Sequence, residues 1–185
     1  MEKEVFATVK GKMEETIRTY KRELNAVRTG RASLSLLDGV MVDYFGTPTP
    51  INQVASMTTP ESRTILIQPW DKSIIKEIEK AIQKSNLGLQ PMDDGKVVRI
   101  TIPQLTEERR RELVKIAKKL AEDGRVAARN VRREGNEDLK HLEKEKKITE
   151  DAHRRASEEL QKITDACIHE IDEIMKSKER EIMEV

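Results

Sequence analysis

One pattern limits the folds open to this 185-residue chain: apolar residues recur at helical spacing at both ends and lose that spacing between them. Phe6, Val9, Met13, Ile17, Tyr20, Leu24 and Val27 follow one another at steps of three or four. Such steps keep all seven on one face of a 3.6-residue period, which predicts a helix over residues 1 to about 30. Gly30 is suited to end it. Leu113, Ile116, Leu120, Ala127 and Val131, continued by Leu139 and Leu142, predict a second helix. It would run from about residue 106 to 147, roughly 60 Å at 1.5 Å per residue. Thr149 is a good N-cap for a third helix. The stripe of that helix is Ala156, Leu160, Ile163, Cys167, Ile171, Ile174 and Ile182. None of the three is stable alone, so the stripes must be buried together. An antiparallel three-helix bundle does so. Gly124 and Gly135 fall inside the second helix, where each costs about 1 kcal/mol relative to alanine. Each therefore needs a packing reason or marks a bend.

Residues 31–104 differ in kind. They hold all six prolines and three of the five aromatic residues. Gly39 to Phe45 alternates as a strand does, and Gly46 to Pro50 reads as a turn or extended linker. Ile51 to Thr58 and Arg63 to Gln68 read as two further strands. Asp71 to Asn86 switches to a helical period through Ile74, Ile75, Ile78, Ala81 and Ile82, with Asp71 or Ser73 as its cap. Asp94-Gly95 makes a turn before a last strand, Lys96 to Ile102. The fold class is thus α+β: a long antiparallel three-helix bundle (residues 1–30 and 105–185) with a small mixed domain (31–104) inserted after its first helix. Two chain crossings, near Gly30-Arg31 and near Pro103-Gln104, would join the domains as a hinge.

Composition removes other classes. Charged residues make up 37% of the chain, yet the formal net charge is only +1, which argues for charge-laced helices rather than disorder. No apolar run is long enough to span a membrane. The N-terminus has no signal-peptide pattern. A single cysteine, Cys167, excludes an internal disulfide and fits a reducing compartment, the cytoplasm. Cys167 falls on the third apolar stripe and reads as core. His141, His153 and His169 lack ligand-like spacing and read as solvated helix residues. Asp93-Asp94-Gly95 lacks the further ligands of a calcium loop and reads as a turn. There is no phosphate loop and no nucleophile motif. Residues 31–104 contain no histidine or cysteine, which argues against an enzyme housed there.

Charge distribution carries the functional signal. Residues 1–31 have net charge +3 and 104–135 have +4, whereas 136–185 have −5. Within the second helix Arg110, Arg111, Lys115, Lys118, Arg125, Arg129, Arg132 and Arg133 phase together at about 100° per residue, almost opposite the large apolar residues. Glu107 and Glu122 interrupt this stripe. Arginine's planar fork suits phosphate oxygens. With few aromatics for base stacking, a duplex or folded RNA read through its backbone is the natural partner.

Several ordered segments then resemble one family across essentially the whole chain. They are Arg28-Thr-Gly-Arg-Ala-Ser33, Ser35-Leu-Leu-Asp-Gly39, Tyr44-Phe-Gly-Thr-Pro-Thr-Pro50, Arg99 to Pro103, Leu105-Thr-Glu-Glu-Arg-Arg110 and Arg125-Val-Ala-Ala-Arg-Asn-Val-Arg-Arg133. Their order resembles bacterial ribosome recycling factor. The resemblance implies an L-shaped molecule whose short arm is a β/α/β sandwich. It implies a monomer without cofactor or catalytic residues, which splits the post-termination ribosome together with elongation factor G and GTP. It also implies contact with large-subunit ribosomal RNA through Arg110, Arg129, Arg132 and Arg133. Arg28, Gly30, Arg31, Pro103 and Gln104 would add RNA contact or serve the hinge. Gln90, Gly124 and Ala152 depart from the family pattern, and all three lie outside the arginine set.

Overall fold

The computed structural model describes residues 2–184. Along the chain run α1 (Glu2–Asn25), β1 (Met41–Tyr44), β2 (Thr47–Pro50), α2 (Ile51–Val54), β3 (Ala55–Glu61), β4 (Thr64–Pro69), α3 (Ile75–Lys84), β5 (Pro91–Asp93), β6 (Val98–Thr101), α4 (Glu107–Lys144) and α5 (Glu150–Glu184). They form two compact units. One comprises the chain up to Arg28 with Glu107–Glu184, and the other is Thr29–Thr106.

The first unit is a bundle of α1, α4 and α5, each packed on the other two. Val9 lies against Gly135 and Tyr20 against Gly124, so α1 runs antiparallel to α4. The Thr149 hydroxyl caps α5 by accepting the Ala152 N–H at 3.2 Å. In α1 the buried residues are Val5, Val9, Met13, Tyr20 and Leu24, while Phe6, Ile17 and Val27, which the spacing places on the same face, are only half-buried and flank it. The helix stops at Asn25, short of Gly30. Val27 already bonds three residues back to Leu24, at 3.1 Å, so the last turn tightens and unwinds there.

The core face of α4 is where structure and expectation part. Its buried residues are Leu113, Ala117, Ala121, Gly124, Ala128, Gly135 and Leu139. Ile116, which the spacing assigned to the core, is 42% exposed, and Leu120, Ala127 and Val131 are only half-buried. The seam is built from small residues because they let helix backbones approach closely, and the larger side chains are displaced to its edge. Both glycines have their packing reason here. A Cβ on Gly135 would stand 2.8 Å from Val9 Cγ2 and 3.0 Å from Leu160 Cδ1, while one on Gly124 would meet Ile171 Cδ1 at 3.3 Å. Cys167 is buried as its stripe position requires, and burial pushes its thiol up to about 11.

The second unit has its own core, centred on Val42, Ile65, Ile67, Ile78, Ile82, Val98 and Ile100. A hairpin of β1 and β2 and an antiparallel sheet in the order β3-β4-β6-β5 both contribute to it. The amphipathic helix α3 packs on β1 of the hairpin and on β5 and β6 of the sheet. Two local expectations are revised. Thr47–Pro50 is a strand, since an edge position needs few N–H donors and so tolerates proline. Ile51–Val54 is one helical turn, and the neighbouring strand begins only at Ala55. Asp71 caps the turn before α3, accepting the Ser73 N–H at 2.8 Å. Asp94 closes the β5–β6 turn by accepting two backbone N–H groups at 2.9 Å.

Candidate nucleic-acid interface

The arginines of α4 extend along the helix, but they do not stand opposite its core. Because the true core face is the small-residue seam, Arg110, Arg125 and Arg132 lie within roughly 100° of its centre, on the side toward α5. Arg129 and Arg133 point further out. This placement brings acceptors of α5 within reach, and none of those could be seen from the local sequence.

The partners divide the set in two. Arg125 donates to Glu122 Oε2 at 2.8 Å and, across the helix pair, to Asp172 Oδ1 at 2.5 Å. Arg129 reaches Glu122 Oε1 at 3.3 Å. The hydrogen bond from Arg125 leads in holding the Glu122 carboxyl below the usual range. Burial opposes the charge on Arg125, but the bonds to Glu122 and Asp172 outweigh it and raise its pKa. Lys118 is paired with Glu179 at 3.0 Å, and Arg111 with Glu107. These cations are largely neutralised, by Glu107 and Glu122 of α4 itself and by Asp172 and Glu179 of α5.

Arg110, Arg132 and Arg133 are different. Arg110 donates to the Met183 carbonyl at 2.8 Å, Arg132 to the Gln161 side-chain oxygen at 2.7 Å, and Arg133 to Asn130 Oδ1 at 3.3 Å. All three acceptors are neutral. Each fixes the direction of a guanidinium without cancelling its charge, and leaves most of its five N–H donors unused. A guanidinium held this way keeps its charge and a free fork for an outside anion.

The residues expected at the domain crossings sit at the ends of the second unit. Arg31, Pro103 and Gln104 are exposed, as is Arg28 at the end of the first unit. Gly30 is buried with φ at +76°, and a Cβ there would fall 2.8 Å from Leu105 Cγ. Its glycine is thus explained by packing on Leu105 and a left-handed backbone, instead of by capping α1. His153 pairs with Glu143, and His141 lies 3.6 Å from Glu145. Among the described residues no group of His, Cys, Asp and Glu could hold a metal ion. No helix among them is long and apolar enough to cross a membrane.

The fold is a helix bundle with an α+β unit inserted after its first helix, and comparison with known proteins specifies the family. The model of the family described as ribosome recycling factor matches residues 20–183. The chain is 56% identical to the ribosome-recycling factor of Bacillus pumilus and 55% identical to that of Halothermothrix orenii, each over the whole of both chains. A solution structure of a ribosome recycling factor, 44% identical, superposes with a TM-score of 0.76 over 100% of this chain and 98% of that one. A second structure, also 44% identical with a TM-score of 0.65, covers 98% of each chain. That structure comprises models of the T. thermophilus ribosome recycling factor and the E. coli elongation factor G bound to the E. coli post-termination complex. The chain belongs to the ribosome recycling factor family.

Proposed function

We propose that this protein recycles ribosomes after termination, acting with elongation factor G and GTP to split the post-termination complex. In this reading the bundle anchors on large-subunit ribosomal RNA through the arginines of α4. One observation carries the assignment: Arg110, Arg132 and Arg133 are oriented by neutral acceptors and keep their charge. They are the primary phosphate contacts, and Arg129 adds a weaker one. Arg125 serves instead as a strut between α4 and α5. Arg28 and Arg31 flank the first chain connection, and Pro103 and Gln104 the second. These two connections act as the hinge at which the partner GTPase moves the inserted unit.

The test is binding to isolated large subunits across a salt series. Arg132→Ala should weaken binding about tenfold or more, since a charged hydrogen-bonded contact is lost. It should also shallow the dependence on log salt by about one. Arg154→Ala removes the same charge from an exposed site in the first turn of α5 and should do neither. Equal affinities for the two variants would exclude the arginines of α4 as the anchor. A light-scattering assay of ribosome splitting, with and without elongation factor G and GTP, tests the activity itself.

A further inference from the structure

The bundle accounts for none of the exposed aromatic residues. These lie in the inserted unit: Phe45 is 74% exposed, Trp70 71% and Tyr44 38%. Tyr44 and Trp70 line one cleft of about 170 Å³ with Thr49, Gln53, Val54 and Asp71. Asp71 is the only charged residue in that lining.

The walls are held in place. Trp70 follows directly on the last strand residue, Pro69, and its backbone N–H bonds to the Val54 carbonyl at 3.0 Å. Asp71 commits Oδ1 to the Ser73 N–H, and this bond leads in keeping its carboxyl below the usual range. The Ser73 side chain lowers it further, so the carboxylate is held charged at the cleft. Tyr44 ends β1, directly opposite Thr47, so that Phe45 and Gly46 alone form the hairpin loop. Both loop residues have positive φ, +51° and +85°. That is the two-residue turn in which asparagine or aspartate is normal at the first position, and a bulky residue there is strained. Phe45 stays in it with its ring edge against Tyr44, centroids 4.8 Å apart and planes at 73°. The ring does nothing for the core of the unit, but it braces the Tyr44 wall.

Two aromatic rings and one carboxylate around a cleft the size of a single long side chain attract positive charge. Aromatic faces carry the negative end of the ring quadrupole, and Asp71 repels phosphate. We infer that the Tyr44–Trp70 cleft receives the guanidinium or ammonium group of an arginine or lysine on a protein partner, with Phe45 as a positioning residue. A protein fits better than a free small cation, because the exposed faces of Phe45 and Trp70 around the cleft offer an apolar rim that only a larger surface would cover.

Trp70 is the single tryptophan, so its fluorescence and indole N–H resonance report on this cleft alone. The full chain is titrated with N-acetyl-arginine amide, its neutral analogue N-acetyl-citrulline amide, spermidine and uridine monophosphate. The arginine compound should give a saturable change in the millimolar range. The citrulline compound, and Asp71→Asn with the arginine compound, should bind about fivefold or more weakly. Asparagine keeps an oxygen for the Ser73 N–H, so an unchanged melting temperature should accompany that loss. Phe45→Asn should relax the turn, hold or raise the melting temperature, and still weaken binding. Arg132→Ala should bind as the parent does, which separates this inference from the ribosomal RNA reading. Equal binding of the arginine and citrulline compounds, saturation by the nucleotide, or no saturation by the arginine compound would overturn the inference. Tighter binding of spermidine would overturn the choice of a protein side chain, and unchanged affinity in Phe45→Asn would overturn the positioning role.

Discussion

At the scale of single residues, the least expected positions are those with no side chain or an unsatisfied one. Gly124 and Gly135 look alike in sequence, and both would gain about 1 kcal/mol of helix propensity from alanine. Their surroundings separate them. At Gly135 the new methyl would press on Val9 Cγ2 and Leu160 Cδ1 at 2.8 and 3.0 Å, where the β-branched Val9 cannot turn away. Gly135→Ala should therefore destabilise the bundle by about 1–3 kcal/mol in urea unfolding. At Gly124 the nearest atom is the mobile end of Ile171, 3.3 Å away, and Gly124→Ala should be neutral or stabilising. Tyr20 is the converse case. It is 1% exposed, and its hydroxyl has no hydrogen-bond partner among the described residues. Tyr20→Phe removes a buried orphan and should leave stability unchanged or higher at neutral pH. Burial raises the pKa of both Tyr20 and Cys167 in the folded chain. The unfolded chain therefore loses these protons first, and stability should fall as pH rises above about 9. Thermal melts from pH 8 to 11 should show a shallower fall for Tyr20→Phe.

At the scale of elements, what could be read in the sequence follows from how each signal is encoded. The large aliphatic residues of α1 and α5 repeat locally, so the existence of those helices, the centre of each buried face and the Thr149 cap are legible, whereas Val5, Thr164 and Met175 join those faces from outside the stripes and Phe6, Ile17, Ile163 and Ile174 lie at their edges. The same residue types place the face of α4 at a rotated position, since alanine and glycine carry little hydrophobic signal even when they form the seam. Ile116, Leu120, Ala127 and Val131 were visible for their size and lie at the edge. The strand β2 was hidden by its two prolines, and the turn α2 by its resemblance to the strand that follows it. Arginine partners were illegible for a different reason: Asp172, Gln161 and Met183 lie 47, 29 and 73 residues from the arginines they meet. No local pattern encodes such a pairing. The division it creates is testable. Arg125, 24% exposed and bound to two carboxylates, ties α4 to α5. Arg125→Ala should cost about 1–3 kcal/mol of stability while changing large-subunit affinity little. Arg132→Ala should show the reverse.

At the scale of the whole molecule, each unit has a core of its own. A core substitution in the inserted unit should therefore be felt there alone. Ile100→Ala, at a site with no exposed surface, should cost that unit about 2–5 kcal/mol. Differential scanning calorimetry should then resolve an early transition, while the helical signal of the bundle melts where it does in the parent. The packing of Gly30 on Leu105 adds a consequence for how the chain assembles. These residues stand near the entrance and exit of the inserted unit, and their contact holds the two strands side by side. To the bundle, a folded insertion is then a short bridge between the first helix and the second, however many residues it contains. Where the insertion folds first, the entropy of closing a long loop is settled inside it. Folding of the small unit thereby shortens the effective chain across which α1 must find α4, which should speed bundle formation.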